Sequence, residues 1–329
     1  MKAIVCEQYG PIDQVKIKEV PNPIPAGDEV VIEVAYAGIN YPDTLIVQGL
    51  YQVKPPLPFT PGHECSGVVI AVGKDVTSWK VGDRVWASTG TNSFAEKIKI
   101  AHHRVRQLPT GVDFKTGCVL SVTYMTALNG IRNKANLQEG ETILVLGASG
   151  GVGSAAIELA KAAGATVIAA ASSQEKLDYC KSLGADYTIN YESENLKDRV
   201  MEITNKNGVN VVFDPVGDKY ADPAMRSLGY GGRYLVVGFA AGEIPNIPLN
   251  LALLMERKII GVYNGSWAPR HPKEVGSFVN QLNILTKTGK LKPKITKVFK
   301  MDEIVEALRY SGSRGLVGKA VLEINPNLT

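Results

Sequence analysis

The stretch "VLGASGGVGSAAIELAKAAGATVIAAASSQEK", residues 145–176, decides the fold. An apolar run ends at Gly147. Gly147, Gly150 and Gly153 then follow with G-x-x-G-x-x-G spacing, Gly151 being extra, and an alanine-rich helical segment runs on to Gly164. "TVIAAAS" reads as a second strand. Glycines so placed let the backbone turn tightly and approach a pyrophosphate, whose charge the helix N-terminus favours. The glycines alone are a weak signal, because a tight turn packing two elements needs them too. The apolar strand before, the helix after and the second strand at the right distance make this a dinucleotide-binding turn, with Gly150, Gly151 and Val152 as the pyrophosphate candidates.

A carboxylate after the second strand would bond the ribose 2′-OH of NAD and repel a 2′-phosphate. Here the strand closes on Ala171, Ser172 and Ser173, and Lys176 falls in the first turn of the next helix. Two hydroxyls and a cation suit a phosphate, so the sequence predicts NADPH over NADH. Tyr191, after the following strand, is a candidate for the same adenosine pocket. "FDPVG" (213–217) and "VVGF" (236–239) end later strands. Ligands bind outside the carboxyl ends of such strands, which makes Val216, Gly217, Gly238 and Phe239 candidates to cover the ribose and nicotinamide; ordinary strand-end turns are the alternative.

Outward from this unit the texture changes. Up to about Gln107 the chain shows short strand-like runs such as "EVVIEVAYAG", "SGVVIAVG" and "DRVWAS", punctuated by Pro, Gly, Asp and Asn, and so predicts a compact β-rich domain. From about Cys118, strands alternate with helices, the pattern of βαβ units in a parallel sheet. The final strand, "GKAVLEI", is expected to rejoin the first domain. The expected division is residues 1–123 with 265–329 as one domain and 124–264 as the other.

Composition excludes several classes. With 36 Lys+Arg against 32 Asp+Glu the net charge is +4, and no basic run concentrates it, so no nucleic acid is indicated. The four cysteines include no C-x-x-C pair, against both a zinc lobe and a disulfide framework. The opening "MKAIVCEQYG" has no signal-peptide apolar core, and no apolar run reaches membrane-spanning length. A reducing, cytoplasmic setting is the expectation.

"PGHECSGVVIAVGKDV" (61–76) matches G-H-E-x-x-G-x(5)-G-x-x-V. With it, "GDRV" (82–85), the glycine fingerprint and the terminal "GKAVLEI" fall in one order. In this the chain resembles the medium-chain dehydrogenase/reductase superfamily over nearly its whole length. The resemblance implies a GroES-like catalytic domain formed by both chain ends, a Rossmann domain between, and an active site in the cleft separating them. Zinc alcohol dehydrogenases of that superfamily take catalytic zinc from the Cys of G-x-C-x-x-D, the His of GHE and a later Cys or Asp. This chain reads "GINYPD" (38–43), so Asn40 replaces the Cys. The later position falls near Val119, with Cys118 adjacent but off register, and the loop after "GDRV" lacks the structural cysteines. Only His63 survives, with Glu64 as a conceivable substitute ligand, against the three protein ligands a catalytic zinc needs.

"GIN-x-x-D", "QGLY" (48–51), the glycine fingerprint, Lys176 and "INY" are similar to the zinc-independent quinone oxidoreductase branch. That branch uses NADPH to reduce quinones or C=C bonds activated by a carbonyl. The resemblance implies roles for Asn40 and Tyr51 at cofactor or acceptor, Lys176 and Tyr191 at the adenosine phosphate, Phe239 beside the nicotinamide and Arg314 on a cofactor phosphate. It implies a homodimer as well. Chemically, Asn40 can hydrogen-bond a carboxamide or an acceptor oxygen, and Tyr51 can orient a carbonyl or donate a proton. His63 departs from that branch, where a small or acidic residue is usual. It is either a packed remnant, the expected case, or a proton donor facing the cleft. The alternatives to reduction of a quinone or enone are a zinc-dependent alcohol dehydrogenase and a non-catalytic NADPH-binding scaffold.

Overall fold

The computed structural model describes residues 1–328. The chain first lays down β1 (Lys2–Val5), β2 (Lys16–Glu19), β3 (Glu29–Ile39), β4 (Glu64–Val72), β5 (Arg84–Ser88), β6 (Lys97–Ala101) and β7 (Val105–Gln107). It continues through β8 (Thr142–Val145), β9 (Thr166–Ala171), β10 (Tyr187–Asn190), β11 (Val209–Asp214), β12 (Leu228–Val236) and β13 (Lys258–Gly261). β14 (Ile295–Lys300) and β15 (Lys319–Glu323) close it. Two compact units result, Met1–Val122 with Gln281 onward, and Thr123–Asn280. The second boundary thus lies at Asn280, beyond the 264 that composition indicated. The boundary falls inside the helix Pro272–Lys287, whose Phe278 stacks on Trp267 at 5.1 Å and carries the Arg132 guanidinium over its ring at 5.2 Å.

The first unit is built on a seven-stranded sheet ordered β14-β15-β3-β4-β5-β7, with β6 also pairing β3. β3 is its axis. Its eleven residues are nearly all buried, because β4 flanks one edge, β15 and β6 share the other, and both faces are covered. Val30, Ile32, Val34, Val69, Val85, Phe94 and Leu322 form the core with it. β15 pairs antiparallel with β3, Ala320 opposite Ile39, so the chain end does return to the first unit. A seven-residue helix, α1 (Tyr41–Val47), leaves the end of β3. Sequence periodicity did not reveal it, since two turns with a proline in the first show no 3.6-residue repeat.

The second unit is a six-stranded sheet ordered β10-β9-β8-β11-β12-β13, every neighbouring pair parallel. This is the doubly wound dinucleotide-binding order. Its central strands read "TILV", "TVIAAA" and "VNVVFD", nearly continuous apolar runs, as expected where both faces are buried. The segment 120–134 is α-helical only at Met125–Leu128, between π-helical turns at Leu120–Tyr124 and Asn129–Lys134.

One close approach sets the β3–β4 pairing. A Cβ built on Gly67 would lie 1.9 Å from the Glu33 carbonyl oxygen, a backbone atom that cannot yield. Gly67→Ala should destabilise the protein by about 2–3 kcal/mol, as overpacking does. Chemical denaturation checks this, and an unchanged midpoint contradicts it.

Candidate active site

In the first unit, β3 ends at Ile39 and the chain turns at Asn40 into α1. The Asp43 carboxylate reaches back to accept the Asn40 backbone N–H at 2.8 Å, which fixes the start of the helix. Its other oxygen meets His63 Nδ1 at 2.5 Å. His63 immediately precedes β4, and its side chain keeps 17% exposure while Asp43 is fully buried. The Tyr51 ring stands edge-on to the imidazole, centroids 6.3 Å apart. Burial pushes the imidazole down. The charge and hydrogen bond of Asp43, then the charge of Glu64, push it up, and Lys319 opposes them. The balance lies above the ordinary histidine value.

Behind this pair sits a buried charge that the sequence reading did not single out. Lys319, 6% exposed, directs its ammonium to the Ile39 carbonyl at 2.9 Å, to Asn40 Oδ1 and to Glu64 Oε1 at 3.0 Å. Glu64 also accepts Asn40 Nδ2 at 2.9 Å and the Val122 N–H at 2.8 Å. The Asn40 carboxamide, expected at cofactor or acceptor, is therefore engaged inside the protein at both ends. Room for this comes from Gly38, whose Cβ would stand 2.4 Å from Glu64 Oε1 and 2.7 Å from the Cys118 carbonyl. Asn40, Tyr51 and His63 are thus brought together. A charged residue at the start of an otherwise apolar strand, "GKAVL", was the available signal for Lys319. Among the described residues no three of His, Cys, Asp and Glu gather as a metal-holding group. Arg314 lies exposed in this unit, in the turn before β15.

In the second unit, Gly147 takes φ +52°, and a Cβ there would lie 2.7 Å from Val216 Cγ2. A Cβ on Gly153 would lie 2.4 Å from the Gly147 carbonyl oxygen, so the helix Gly151–Ala162 packs directly on the turn. Gly150 caps that helix, and the N–H groups of Gly151 and Val152, in its first turn, have no acceptor within the helix. At the end of β9 the Ser173 side chain caps the helix Gln174–Ser182, and Lys176 Nζ donates to Ser172 Oγ at 3.0 Å. β10 runs beside β9 with Asn190 opposite Ala171, which sets Tyr191 next to Ser172; the Tyr191 ring lies 4.4 Å from that of Tyr220.

The loops after β11 and β12 interlock. Asp214, a residue the sequence reading missed, accepts the N–H groups of Val216 at 2.7 Å and Gly217 at 2.9 Å and the Tyr234 hydroxyl. Its backbone oxygen accepts from Val237 and Gly238. Gly217 has φ +70°, and a Cβ on it would touch Phe239. Val216, Gly217, Gly238 and Phe239 are therefore one cluster at the carboxyl ends of the strands. Burial pushes the Asp214 carboxyl up.

Known proteins agree with this architecture. The family described as "Alcohol dehydrogenase GroES-like domain" matches residues 26–129, and "Zinc-binding dehydrogenase" matches 151–281. Quinone oxidoreductase-like protein 2 of Bos taurus is 38% identical over 94% of this chain and 88% of its own length. The quinone oxidoreductase of Homo sapiens is 32% identical over 98% of this chain and 97% of its own. The crystal structure of Escherichia coli quinone oxidoreductase complexed with NADPH superposes with a TM-score of 0.92 at 26% identity, covering 98% of this chain and 100% of the other. No helix among the described residues is long and apolar enough to cross a membrane.

The His63–Asp43 pair has a pH signature. Because the folded value of His63 is raised, its contribution to stability is complete below the unfolded value, about 6.5, and is lost as pH rises through the folded value. His63→Gln should therefore cost more unfolding free energy at about pH 5.5 than at about pH 9. Urea unfolding at the two pH values checks this; an equal cost contradicts it.

Proposed function

We propose, because this chain belongs to the quinone oxidoreductase-like branch of the medium-chain dehydrogenase/reductase superfamily, that it uses NADPH to reduce a quinone or an α,β-unsaturated carbonyl without a metal ion. The observation that carries this reading is the Lys319 ammonium on Asn40 and Glu64. At the place where a metal-dependent relative would need ligands, this chain holds an amide and a fixed side-chain cation. An ammonium cannot exchange a ligand for a carbonyl or alkoxide oxygen, so the Lewis-acid route to alcohols lacks its donor set. Quinones and enones are electrophilic already, and positioning supplies much of what their reduction requires.

The residues of the second unit fit the cofactor. The glycine turn leaves no Cβ between backbone and pyrophosphate, with the Gly151 and Val152 N–H groups free of helical acceptors. Ser172, Ser173 and Lys176 would hold the 2′-phosphate, Tyr191 the adenine side, and the Val216–Gly217 and Gly238–Phe239 loops the nicotinamide side, with Arg314 a further phosphate contact. When bound, the reduced nicotinamide supplies a hydride. The chain's own part is the proton. His63, whose charged form Asp43 favours, delivers it to the acceptor oxygen, and Tyr51 orients that oxygen. Asn40 holds the corner together.

Two measurements test the reading. NADPH consumption by chelator-treated, dialysed protein should proceed with ortho-quinones, para-quinones, enals or enoyl thioesters, and NADP⁺ should not be reduced with simple alcohols. Alcohol oxidation restored by stoichiometric zinc would overturn the assignment, and tight NADPH binding with no turnover would make the protein a scaffold. Lys176→Ala should weaken NADPH at least tenfold (about 1.4 kcal/mol) more than NADH, the scale of a lost charge-assisted bond. Equal losses for the two cofactors would remove the phosphate assignment.

A further inference from the structure

The proposed reduction uses His63 and Asp43 and leaves the buried ammonium behind them without a role. Lys319 opens β15, yet its three acceptors come from three other places: the end of β3 at Ile39, the cap of α1 at Asn40, and the start of β4 at Glu64. Asp43 lies in the first turn of the helix that Asn40 caps, and His63 is the residue before Glu64. One cation thus ties together the two backbone segments from which the His63–Asp43 pair projects.

Its charge matters as much as its reach. The groups that bear on His63 are Asp43 from α1, Glu64 from β4, Lys319 from β15 and the Tyr51 ring. Asp43 and Glu64 both favour the imidazolium. Lys319 is the opposing charge, and it touches Glu64 directly. Without it, the imidazole would face two carboxylates and hold its proton more tightly, a poor property in a proton donor.

We propose that Lys319 is a positioning residue for the reduction: its ammonium keeps His63 and Asp43 in register and offsets Glu64, so that His63 can release its proton to the acceptor. This rests on the reading of His63 as the donor. A merely structural Lys319 would affect stability and leave the His63 titration where it was.

The imidazole titration of His63, followed by NMR in the cofactor-free protein and assigned by its loss in His63→Gln, decides between the two. Lys319→Met should move the midpoint upward by about one pH unit, tenfold in proton affinity. Glu64→Gln should move the midpoint downward, and the Lys319→Met/Glu64→Gln double variant should return it close to the wild-type position. An unmoved midpoint in Lys319→Met overturns the proposal. If that variant does not fold, the other two decide: a Glu64→Gln midpoint that does not fall, or a double variant no higher than Glu64→Gln, overturns it equally. None of these readings involves turnover. Normal turnover by His63→Gln would refute the proton-donor reading separately, even with the titration behaving as stated.

Discussion

Three oxygens around one buried ammonium set the geometry of the first unit's functional corner. A lysine taken out of water is unfavourable by several kcal/mol unless its donors find good acceptors. Lys319 finds a main-chain carbonyl, an amide oxygen and a carboxylate, each from a different element. The arrangement exists only because β15 is laid antiparallel beside β3, which brings two residues 279 positions apart into contact. Gly38 is the matching allowance, since any side chain there would occupy the space of the Glu64 carboxylate. The sheet order, the glycine and the salt bridge are therefore one constraint, and the His63–Asp43 pair hangs from it.

The second unit is governed by backbone approach. Its fingerprint glycines are not equivalent. Gly147 needs its positive φ and its clearance from Val216, and Gly153 lets the helix rest on the turn. Gly150 is the least crowded, with only the Gly147 carbonyl oxygen within 4 Å of a Cβ. Opposite the turn, Asp214 gathers two successive strand-end loops with its side chain and its backbone together. A buried carboxyl with this many donors is a rigid anchor, and it fixes the loops that carry Val216, Gly217, Gly238 and Phe239.

How much of this could be read beforehand depended on whether the signal was local. The glycine turn, the apolar parallel strands and the return of "GKAVLEI" were legible because each is a short pattern with a direct steric or burial cause. The neutral end of β9 was legible for the same reason: a missing acid is visible in three residues. α1 was not, being too short to show a period, nor was β13, only four residues long. The boundary at Asn280 lies inside a helix, where no composition shift announces it. The corner was half legible. Asn40 and His63 stand out by motif, but the partners of Asn40 come from the far end of the chain, and only the fold reveals that its amide is already engaged.

The charges at the corner also bear on the direction of the chemistry. Asp43 meets His63 at Nδ1, which leaves Nε2 as the nitrogen through which the proposed transfer would run. The Asp43 charge and hydrogen bond favour the protonated ring, the form that the proposed reduction uses as an acid. Oxidation of an alcohol needs the opposite, a group that enters the reaction deprotonated. A loaded acid suits an acceptor that gains negative charge on oxygen as it is reduced, as quinones and enones do. The same logic explains the two carboxylates and one ammonium around the ring. Asp43 and Glu64 favour the charged ring, and the ammonium on Glu64 opposes them, the balance on which the proposed proton transfer depends.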